Sequence, residues 1–374
     1  MSLSRIANHQ ICCGCTACEQ ICPQQCISMQ TDEEGFLYPC IDETKCVDCG
    51  LCGKVCPALM PYPEHQPEKT FAAINDKESI RLDSSSGGLF SLFAEECIVH
   101  GCTIFGARFS PTWSVVHEGT NRIEDIPLYR GCKYVQSEMR HCYKEAEAIL
   151  KKGKPVMFVG TPCQIAGLNH FLGKAYDRLL TVDFICHGVP SPAVWKWYIN
   201  DVARKFVRSS ILNSILYLYN PLRVIKSIEF RSKKSGWKQY CFVVKTKGMH
   251  GQTLTEVHYK NAYMRAFLTN LCLRPSCYNC KSKEGRSRSD LTIADFWNVH
   301  KVIDGFDDDK GTSLVLVNTE KGEEVFNSLK CRKQEVKFSE AIQYNPSWGK
   351  SYEENEKRKE FMESYTTHFF DFVQ

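Results

Sequence analysis

Apolar and polar positions alternate along the middle of the chain with two different periods. Apolar residues recur at helical spacing over residues 89–97 and again over residues 165–172. Short continuous apolar runs at 155–159 and 179–185 have the length and composition of buried strands. Strand, helix and strand in this order predict a parallel α/β unit.

The second half of the chain carries a different pattern. Three runs there are typical of antiparallel strands, at residues 227–231, 241–246 and 253–258. Later segments predict two more strands and a helix, at residues 291–296, 314–318 and 319–329. Gly311, Thr312 and Ser313 follow a charged run and predict a solvated loop. The fold class that we expect is therefore α+β.

Prolines mark the boundary between this body and an N-terminal segment. A polar stretch has the composition of a semi-rigid linker, with prolines at Pro57, Pro61, Pro63 and Pro67. We predict an N-terminal domain at residues 1–60 and a linker at 61–70. A larger mixed α/β domain at 71–374 would follow, with an α/β part at 71–200 and a mixed C-terminal part at 201–374.

Cysteine usage separates the same two parts of the chain. Of the 22 cysteines among 374 residues, half lie between residues 12 and 56. Residues 1–56 also hold seven acidic and three basic side chains, although the whole chain has a net charge of +4. Residues 1–10 lack the apolar core of a signal peptide. We therefore expect a cytoplasmic protein that uses cysteine for metal or redox chemistry rather than for disulfides.

The overall composition excludes several classes of protein. A hydrophobic content of 43% with 24% charged residues excludes a disordered or fibrous chain. The apolar runs are far shorter than the roughly 18 residues that a membrane-spanning helix needs. Lysine and arginine are dispersed among acidic residues, so we expect no nucleic-acid binding and assign the basic surplus to anionic cofactors or substrates.

A repeated cysteine motif is the strongest signal in the sequence. Four cysteines with the spacing C-x2-C-x2-C-x3-C-P occur twice, 34 residues apart, at Cys12, Cys15, Cys18 and Cys22 and at Cys46, Cys49, Cys52 and Cys56. In such motifs three thiolates ligate one 4Fe-4S cluster and the fourth ligates the other. The predicted pairing is therefore crossed, with Cys56 completing the first cluster and Cys22 the second.

The alternative for this motif is a zinc site. Structural zinc usually takes two separated cysteine pairs, whereas here four cysteines fall within eleven residues, twice. We therefore interpret residues 1–60 as similar to a two-cluster bacterial ferredoxin domain. Three cysteines outside the pattern are expected to be small packed residues, namely Cys13, Cys26 and Cys40.

Four segments of the larger domain carry possible chemistry, each with a plainer alternative. Residues 84–88 place serines and glycines before a helix, which suits a phosphate but also a simple helix cap. Residues 160–164 join a strand to a helix and are either a ligand-binding turn or a plain connection. His187 ends a strand and is a candidate proton donor or a structural residue. Cys277 and Cys280 fit zinc, redox chemistry or two unrelated thiols.

Taken together, five motifs resemble the family of coenzyme F-420 hydrogenase/dehydrogenase beta subunits over roughly residues 70–320. They are GCKYVQS at 131–137, GTPCQ at 160–164, CHG at 186–188, the CxxC at 277–280 and SDLTIADFW at 289–297. Members of the family look like flavoproteins in which FAD exchanges electrons between an iron–sulfur cluster and a two-electron substrate. Some bacterial relatives with a fused ferredoxin domain are associated with surface-polysaccharide genes.

The resemblance implies further site residues. It implies a third 4Fe-4S cluster, the alternative being reduced structural thiols, with the ligands Cys163, Cys186, Cys277 and Cys280. It implies flavin contacts from the two loops and the turn, at Ser86, Gly87, Gly88, Lys133, Tyr134, Gln136, Ser137 and Thr161. Lys133 would stabilise the anionic reduced flavin. The family often has serine at the position of Cys132, and no catalytic residue is assigned by a motif.

The expected function follows from electron counting. Iron–sulfur clusters carry one electron at a time and organic substrates change by two, so a flavin fits between them. We expect a flavin-dependent iron–sulfur oxidoreductase with a ferredoxin-like redox partner and a small-molecule substrate. The alternatives are an electron-input subunit that serves a partner enzyme, and a flavin-free binding module. Direction of electron flow, FAD against FMN and oligomeric state stay open.

Overall fold

The computed structural model describes residues 8–208, 220–248 and 251–373. Residues 1–7 lie outside the described residues. They are part of the N-terminal stretch in which the sequence predicts no signal peptide. The N-terminal segment contains two short helices and a hairpin, namely α1 (Ala17–Ile21), β1 (Ile27–Thr31), β2 (Leu37–Ile41) and α2 (Leu51–Lys54). The strands pair antiparallel, with Ile27 opposite Ile41. The hairpin turn is closed by the Asp32 carboxylate, which accepts a hydrogen bond from the Phe36 amide at 2.8 Å.

Within the described residues, the larger part contains eleven more strands. They are β3 (Lys69–Ile74), β4 (Thr103–Phe109), β5 (Val115–Thr120), β6 (Val156–Val159), β7 (Leu179–Phe184), β8 (Ile225–Ser232), β9 (Cys241–Thr246), β10 (Thr253–Val257), β11 (Leu291–Asp295), β12 (Ser313–Val317) and β13 (Arg332–Glu335). Eight form one sheet in the order β13-β3-β12-β11-β7-β6-β4-β5, and β8 to β10 form a second sheet. The four central strands β11, β7, β6 and β4 are parallel, and the flanking strands are antiparallel.

Ten helices accompany these strands within the described residues. They are α3 (Glu78–Leu82), α4 (Leu89–Val99), α5 (Ile126–Tyr129), α6 (Cys142–Lys151), α7 (Pro162–Leu172), α8 (Pro192–Arg208), α9 (Ala262–Leu268), α10 (Glu320–Ser328), α11 (Phe338–Ile342) and α12 (Arg358–His368). The predicted parallel unit is confirmed as β6, α7 and β7. The predicted antiparallel section is confirmed as β8, β9 and β10.

Two features of the larger part differ from the pattern-based boundaries. Strand β3 begins at Lys69, inside the stretch predicted as a linker, because its backbone pairs with β12 and β13. The eight-stranded sheet also takes strands from both sides of the proposed division at residue 200. The division of the larger part stays a prediction.

The hydrophobic core holds these layers together and fixes the loops between them. One cluster packs α8 against the second sheet, with Trp195, Phe230 and Tyr263 fully buried. A second cluster packs α6 and α7 against the main sheet through Tyr143 and Phe158. None of the helices within the described ranges is long and apolar enough to cross a membrane. The mixed α/β architecture predicted from the sequence is confirmed.

Candidate functional site

The two cysteine motifs of the N-terminal segment share one backbone conformation. Gly14 and Asp48, at equivalent positions, have φ of 69° and 49°. Thr16 and Gly50 are also equivalent and have φ of 65° and 71°. In each motif the Sγ of the first cysteine accepts a hydrogen bond at 3.4 Å from the backbone N–H two residues later. Such N–H donors to sulfur are among the features that set cluster potentials.

The predicted first cluster site is formed from both motifs. Cys56, the last cysteine of the second motif, lies close enough to Cys12, Cys15 and Cys18 for their charges to interact. Burial is the main cause that raises the pKa of the Cys18 thiol, and the neighbouring Cys12 and Cys56 raise it further. Four neighbouring thiols drawn from both motifs are a suitable set for a cationic iron–sulfur core.

The predicted second cluster site lies nearer the surface. Cys52 interacts with Cys46 and Cys49, and Cys49 is exposed. Cys22 lies beside this group, since its Sγ is 3.4 Å from that of Cys26, which also interacts with Cys46. Over the residues that the structure describes, no three His, Cys, Asp or Glu side chains are close enough for a single metal ion. Cluster ligation therefore stays a prediction from the cysteine spacing.

The four cysteines of the proposed third cluster come from three separate elements and line one cavity. Cys163 is in the first turn of α7, Cys186 follows β7, and Cys277 and Cys280 lie in the turn around residues 275–280. All four line a cavity of about 60 Å³. Burial raises the pKa of Cys277 to about 12, with a further contribution from Cys280. The structure thus brings together the four residues that the family resemblance singled out.

Two buried charged residues complete the wall of this small cavity. Lys283 donates hydrogen bonds from Nζ to the carbonyls of Cys186 at 2.9 Å and Ser347 at 2.6 Å. Asp183 is buried, and burial raises its pKa to about 6. A buried ammonium group beside four thiols favours an anionic occupant, and a 4Fe-4S cluster with four thiolates is an anion. The donor set therefore fits a cluster.

A second, larger cavity of about 480 Å³ lies at the carboxyl ends of the central strands. Its volume is within the roughly 300–1,000 Å³ that is usual for small-molecule sites. Residues 184–189 and Ser347 belong to the walls of both cavities, so the two cavities are adjacent. Ligands of open α/β sheets bind at this edge, which supports the prediction for the turn at 160–164.

The serine–glycine loop at residues 84–88 forms one wall of the large cavity. Gly88 has a φ of 84° and precedes α4, which begins without a side-chain cap among the described residues. Ser86 Oγ donates a hydrogen bond to the Thr312 carbonyl at 2.9 Å, and Lys233 Nζ donates one to the Ser86 carbonyl at 2.6 Å. The amides of the first turn of α4 are thus available to a phosphate in the cavity.

The segment at 311–313 supports this loop and is not the solvated loop that the charge pattern predicted. Thr312 and Ser313 are buried, and Ser313 Oγ accepts a hydrogen bond from the Gly87 amide at 3.0 Å. A Cβ on Gly87 would lie 2.5 Å from the Ala73 carbonyl oxygen. Gly87 therefore packs behind the cavity wall, and its predicted role as a direct flavin contact has no geometric support.

Lys133 lines the large cavity, but its ammonium group already donates hydrogen bonds to the backbone. Its Nζ donates hydrogen bonds to the carbonyls of Tyr129, Arg130 and Gly131 at 3.0–3.1 Å. Burial lowers the pKa of Lys133 to about 8. All three ammonium hydrogens are therefore used at the carboxyl end of α5, where a cation is favourable.

The other predicted flavin contacts divide into two groups. Tyr134, Ser137 and Thr161 lie in the wall of the large cavity, as do Ser86 and Gly88. Gln136 instead faces the N-terminal segment, where its Nε2 donates a hydrogen bond to the Cys13 carbonyl at 3.0 Å.

His187 borders both cavities. Its Nε2 is 2.8 Å from the Asn270 side-chain oxygen, and its ring stacks on Tyr352 with ring centres 3.9 Å apart. Burial lowers the pKa of His187 to about 4. The imidazole is therefore neutral at pH 7, and in this state its Nε2–H is used by Asn270.

Comparison with known families gives two matches along the chain. A family model for the C terminus of the beta subunit of coenzyme F420 hydrogenase/dehydrogenase matches residues 153–342, half of the chain. The chain belongs to this family. A model for a 4Fe-4S dicluster domain matches residues 11–59. Both parts of the predicted resemblance are confirmed, and this family member carries an N-terminal dicluster domain.

Two curated relatives each match about half of this chain. The F component of the F(420)H(2) dehydrogenase of Methanosarcina mazei is 22% identical over 200 residues, 49% of this chain and 55% of that protein. Coenzyme F420-dependent sulfite reductase of Methanocaldococcus jannaschii is 29% identical over 175 residues, 45% of this chain and 26% of that protein. The match covers less than two thirds of either relative.

A solved structure of the F420-reducing nickel–iron hydrogenase complex from Methanosarcina barkeri, derivatised with xenon, also matches. The alignment covers 72% of this chain and 83% of that chain at 17% identity, with a TM-score of 0.45.

Several residues of this family member escaped the sequence analysis. Arg231 on β8 pairs with Asp295, and its guanidinium lies 4.4 Å from the Tyr240 ring centre and 5.1 Å from that of Trp297, all in the wall of the large cavity. Asp295 also accepts a hydrogen bond from Trp237 Nε1 at 3.0 Å. The motif at 289–297 pointed to Asp295 and Trp297, whereas no sequence signal marked Arg231.

Arg274 is a second missed residue and is fully buried between the N-terminal segment and the larger part. Its Nε donates a hydrogen bond to the Cys12 carbonyl at 2.7 Å, and its two Nη atoms donate to Gln136 Oε1 at 2.8 Å and the Leu37 carbonyl at 2.9 Å. Nη2 also lies 3.6 Å from Cys12 Sγ. Its place immediately before Pro275 and the CxxC motif was the signal available in the sequence.

Proposed function

We propose that this protein is an iron–sulfur flavoprotein oxidoreductase. In this proposal electrons enter from a redox partner protein, pass through three 4Fe-4S clusters to FAD and leave to an organic two-electron substrate. Membership of an oxidoreductase family and the dicluster domain support the iron–sulfur part directly. Flavin, substrate and the third cluster are the further steps of the proposal.

The observation that best supports this proposal is the wall that the two cavities share. Residues 184–189 separate a cavity lined by four cysteines from one that is large enough for a small molecule. An electron that reaches the small cavity therefore has only the segment of residues 184–189 between it and the large cavity. A flavin supplies the exchange between one-electron and two-electron steps that such an arrangement needs.

The residues that line the large cavity support the proposal that it binds a flavin. The first turn of α4 after Gly88 offers amides and a positive helix end to a phosphate. The rings of Tyr134, Tyr240 and Trp297 offer apolar surface, and Lys133 offers positive charge. The residues present therefore fit an anionic, aromatic cofactor of this kind.

The first experiment is anaerobic quantification of iron, acid-labile sulfide and released flavin, with absorption spectra before and after dithionite. We expect about twelve irons per chain, four for each of three clusters, and one flavin, whose mass distinguishes FAD from FMN. About eight irons with one flavin would mean that the four cysteines of the small cavity are structural thiols and hold no cluster. Eight irons without flavin after reconstitution would contradict the catalytic proposal.

A single substitution separates the third cluster from the other two. Cys163→Ser should lower the iron content by about one third if each site holds a 4Fe-4S cluster. Cys102→Ser is the matched control, because Cys102 is buried beside Cys97 and away from both cavities. Unchanged iron in Cys163→Ser would remove the third cluster from the proposal.

A second candidate function is that of an electron-input subunit without a substrate of its own. One relative is named as a single subunit of a dehydrogenase, which favours this interpretation. The purified chain, given a reductant and a panel of small molecules without any partner, distinguishes the two. Sugar-linked compounds come first in the panel, because the resemblance includes bacterial proteins with this domain arrangement that are associated with surface-polysaccharide genes. Turnover by the chain alone would contradict the electron-input interpretation.

A further inference from the structure

Arg274 is a fully buried positive charge whose hydrogen-bond partners include no carboxylate among the described residues. Its guanidinium donates to the carbonyls of Cys12 and Leu37, to the side-chain oxygen of Gln136 and to the Cys12 sulfur. The other three buried arginines of the described ranges each pair with a carboxylate, namely Arg81, Arg231 and Arg358. Arginine does not lose its proton in proteins, and an uncompensated buried charge is costly. Arg274 therefore favours an anion beside it.

The predicted first cluster site is where such an anion would lie. Arg274 Nη2 is 3.6 Å from the sulfur of Cys12, a predicted ligand of this cluster. The guanidinium carbon is 4.1 Å from the ring centre of Tyr38 and 5.2 Å from that of Phe36, so aromatic rings rather than water surround the charge. Charges interact more strongly in such surroundings than in water. A 4Fe-4S cluster with four thiolates is an anion and would compensate the guanidinium.

The two cysteine motifs differ at the position that admits this arginine. A Cβ on Gly14 would lie 2.8 Å from Arg274 Nη1, so glycine lets the guanidinium approach the first motif. The second motif has Asp48 at the equivalent position and keeps the same bond from the backbone N–H to the first cysteine sulfur. Lys45, near the second site, is exposed and pairs with Asp42, so its charge is screened. The repeated motif thus has a buried cation at the first site and an added acid at the second.

We propose that Arg274 is a positioning residue for electron transfer, which acts through the Cys12 sulfur to hold the first cluster at a more positive reduction potential than the second. Reduction adds one electron to the cluster, and the fixed positive charge stabilises the more negative product. The electron comes from the second cluster, which is oxidised, while Arg274 keeps its protons and all its bonds. Hydrogen bonds to cluster sulfurs and solvent exposure are known determinants of cluster potential. The inference rests on the iron–sulfur part of the proposed function, since it requires a cluster at the first site.

The test is a redox titration of the reconstituted full chain with dithionite, followed by electron paramagnetic resonance. The signals of the first and second clusters are identified as those that Cys18→Ala and Cys49→Ala remove. In the parent, the midpoint potential of the first cluster should be the more positive of the two. Arg274→Gln removes the charge and should make this potential more negative by at least about 59 mV, the equivalent of a tenfold change in a one-electron equilibrium. The potential of the second cluster should stay unchanged.

Two further variants separate the charge of Arg274 from its packing. Arg274→Lys keeps the charge and should hold the potential of the first cluster closer to that of the parent than Arg274→Gln does. Gln136→Leu removes the hydrogen bonds to Arg274 Nη1 and to the Cys13 carbonyl without removing a charge. It should leave the potential of the first cluster unchanged. Equal shifts in Gln136→Leu and Arg274→Gln would assign the effect to packing and overturn the proposal.

Other results would also overturn it. An unchanged potential in Arg274→Gln at the parent's iron content would remove the role of the charge. A first cluster more negative than the second in the parent would do the same, and this comparison remains decisive if Arg274→Gln takes up no iron. Eight irons without flavin in the parent would contradict the proposed function and leave this inference standing, because the first cluster belongs to the dicluster domain. A parent that holds no cluster after reconstitution would overturn both.

Discussion

At the scale of a single residue, Lys133 has to serve both the fold and the cavity. Its ammonium group holds three carbonyls at the end of α5 while its side chain lines the large cavity. Because burial lowers its pKa to about 8, Lys133 is charged at pH 7 and loses its charge as the pH rises through that value. An anionic ligand in the cavity is favoured only by the charged form.

We therefore expect flavin affinity to weaken as the pH rises through about 8, by at most about tenfold per pH unit. Fluorescence titration of flavin-depleted protein on both sides of this pKa measures the effect. His117, which interacts with Lys133, does not share this titration, because burial lowers its pKa to about 4. Lys133→Met should bind flavin more weakly and without this pH dependence. A pH dependence that persists in Lys133→Met would show that another group causes it.

At the scale of elements, the local sequence pattern was sufficient to predict a helix or strand whose apolar spacing lies within its own residues. The β6, α7 and β7 unit and the second sheet were predicted because apolar spacing along each segment reports its buried face. Strand β3 was missed because its partners lie far along the chain, as in the pairing of Thr70 with Leu316. Proline and polar residues before it predict a linker when that pairing is not known.

The same distinction holds for the candidate site. The cysteines of the proposed cluster sites and the cavity-lining serine–glycine loop were singled out because their spacing or their family motif carries the chemistry, and ligation by these cysteines stays a prediction. Arg231 and Arg274 were not, because their roles come from contacts across the fold: Arg274 reaches Cys12 over 262 positions and Arg231 reaches Asp295 over 64. No local composition encodes such contacts, and the hydrogen bonds of buried arginines become visible only with the fold.

Helix α7 gives a prediction at this scale. Alanine usually stabilises a helix interior by about 1 kcal/mol relative to glycine, yet at Gly167 any Cβ meets the Cys15 sulfur at 2.9 Å and the Tyr143 hydroxyl at 3.1 Å. We expect Gly167→Val to displace Cys15 and to lower the iron content by about one third, the share of one cluster. Iron quantification and thermal unfolding of the same samples measure both effects. A parent-like iron content would show that the helix can move away from Cys15.

At the scale of the whole molecule, the candidate sites form a series from the surface to the interior. Cys49 of the second site is exposed, and so is its neighbour Val47, 62% of whose surface is accessible. The first site contacts the larger part through Arg274 and Gly167. The small cavity follows at Cys163, and the large cavity shares a wall with it. This order predicts that a protein donor delivers electrons at the second site.

Removal of the second cluster tests whether electrons enter at the second site. Cys49→Ala should lower the iron content to about eight per chain while flavin stays bound, because Cys49 is remote from the wall of the large cavity. Reduction of the flavin by a ferredoxin should then become much slower than in the parent, since the donor must reach a more distant cluster. Dithionite is small and should still reduce the flavin at the parent's rate if it acts at the cavity directly. If the rate of flavin reduction falls equally with ferredoxin and with dithionite, both reductants deliver electrons at the second site. If the rate with ferredoxin is unchanged, the docking surface of the donor lies elsewhere on the molecule.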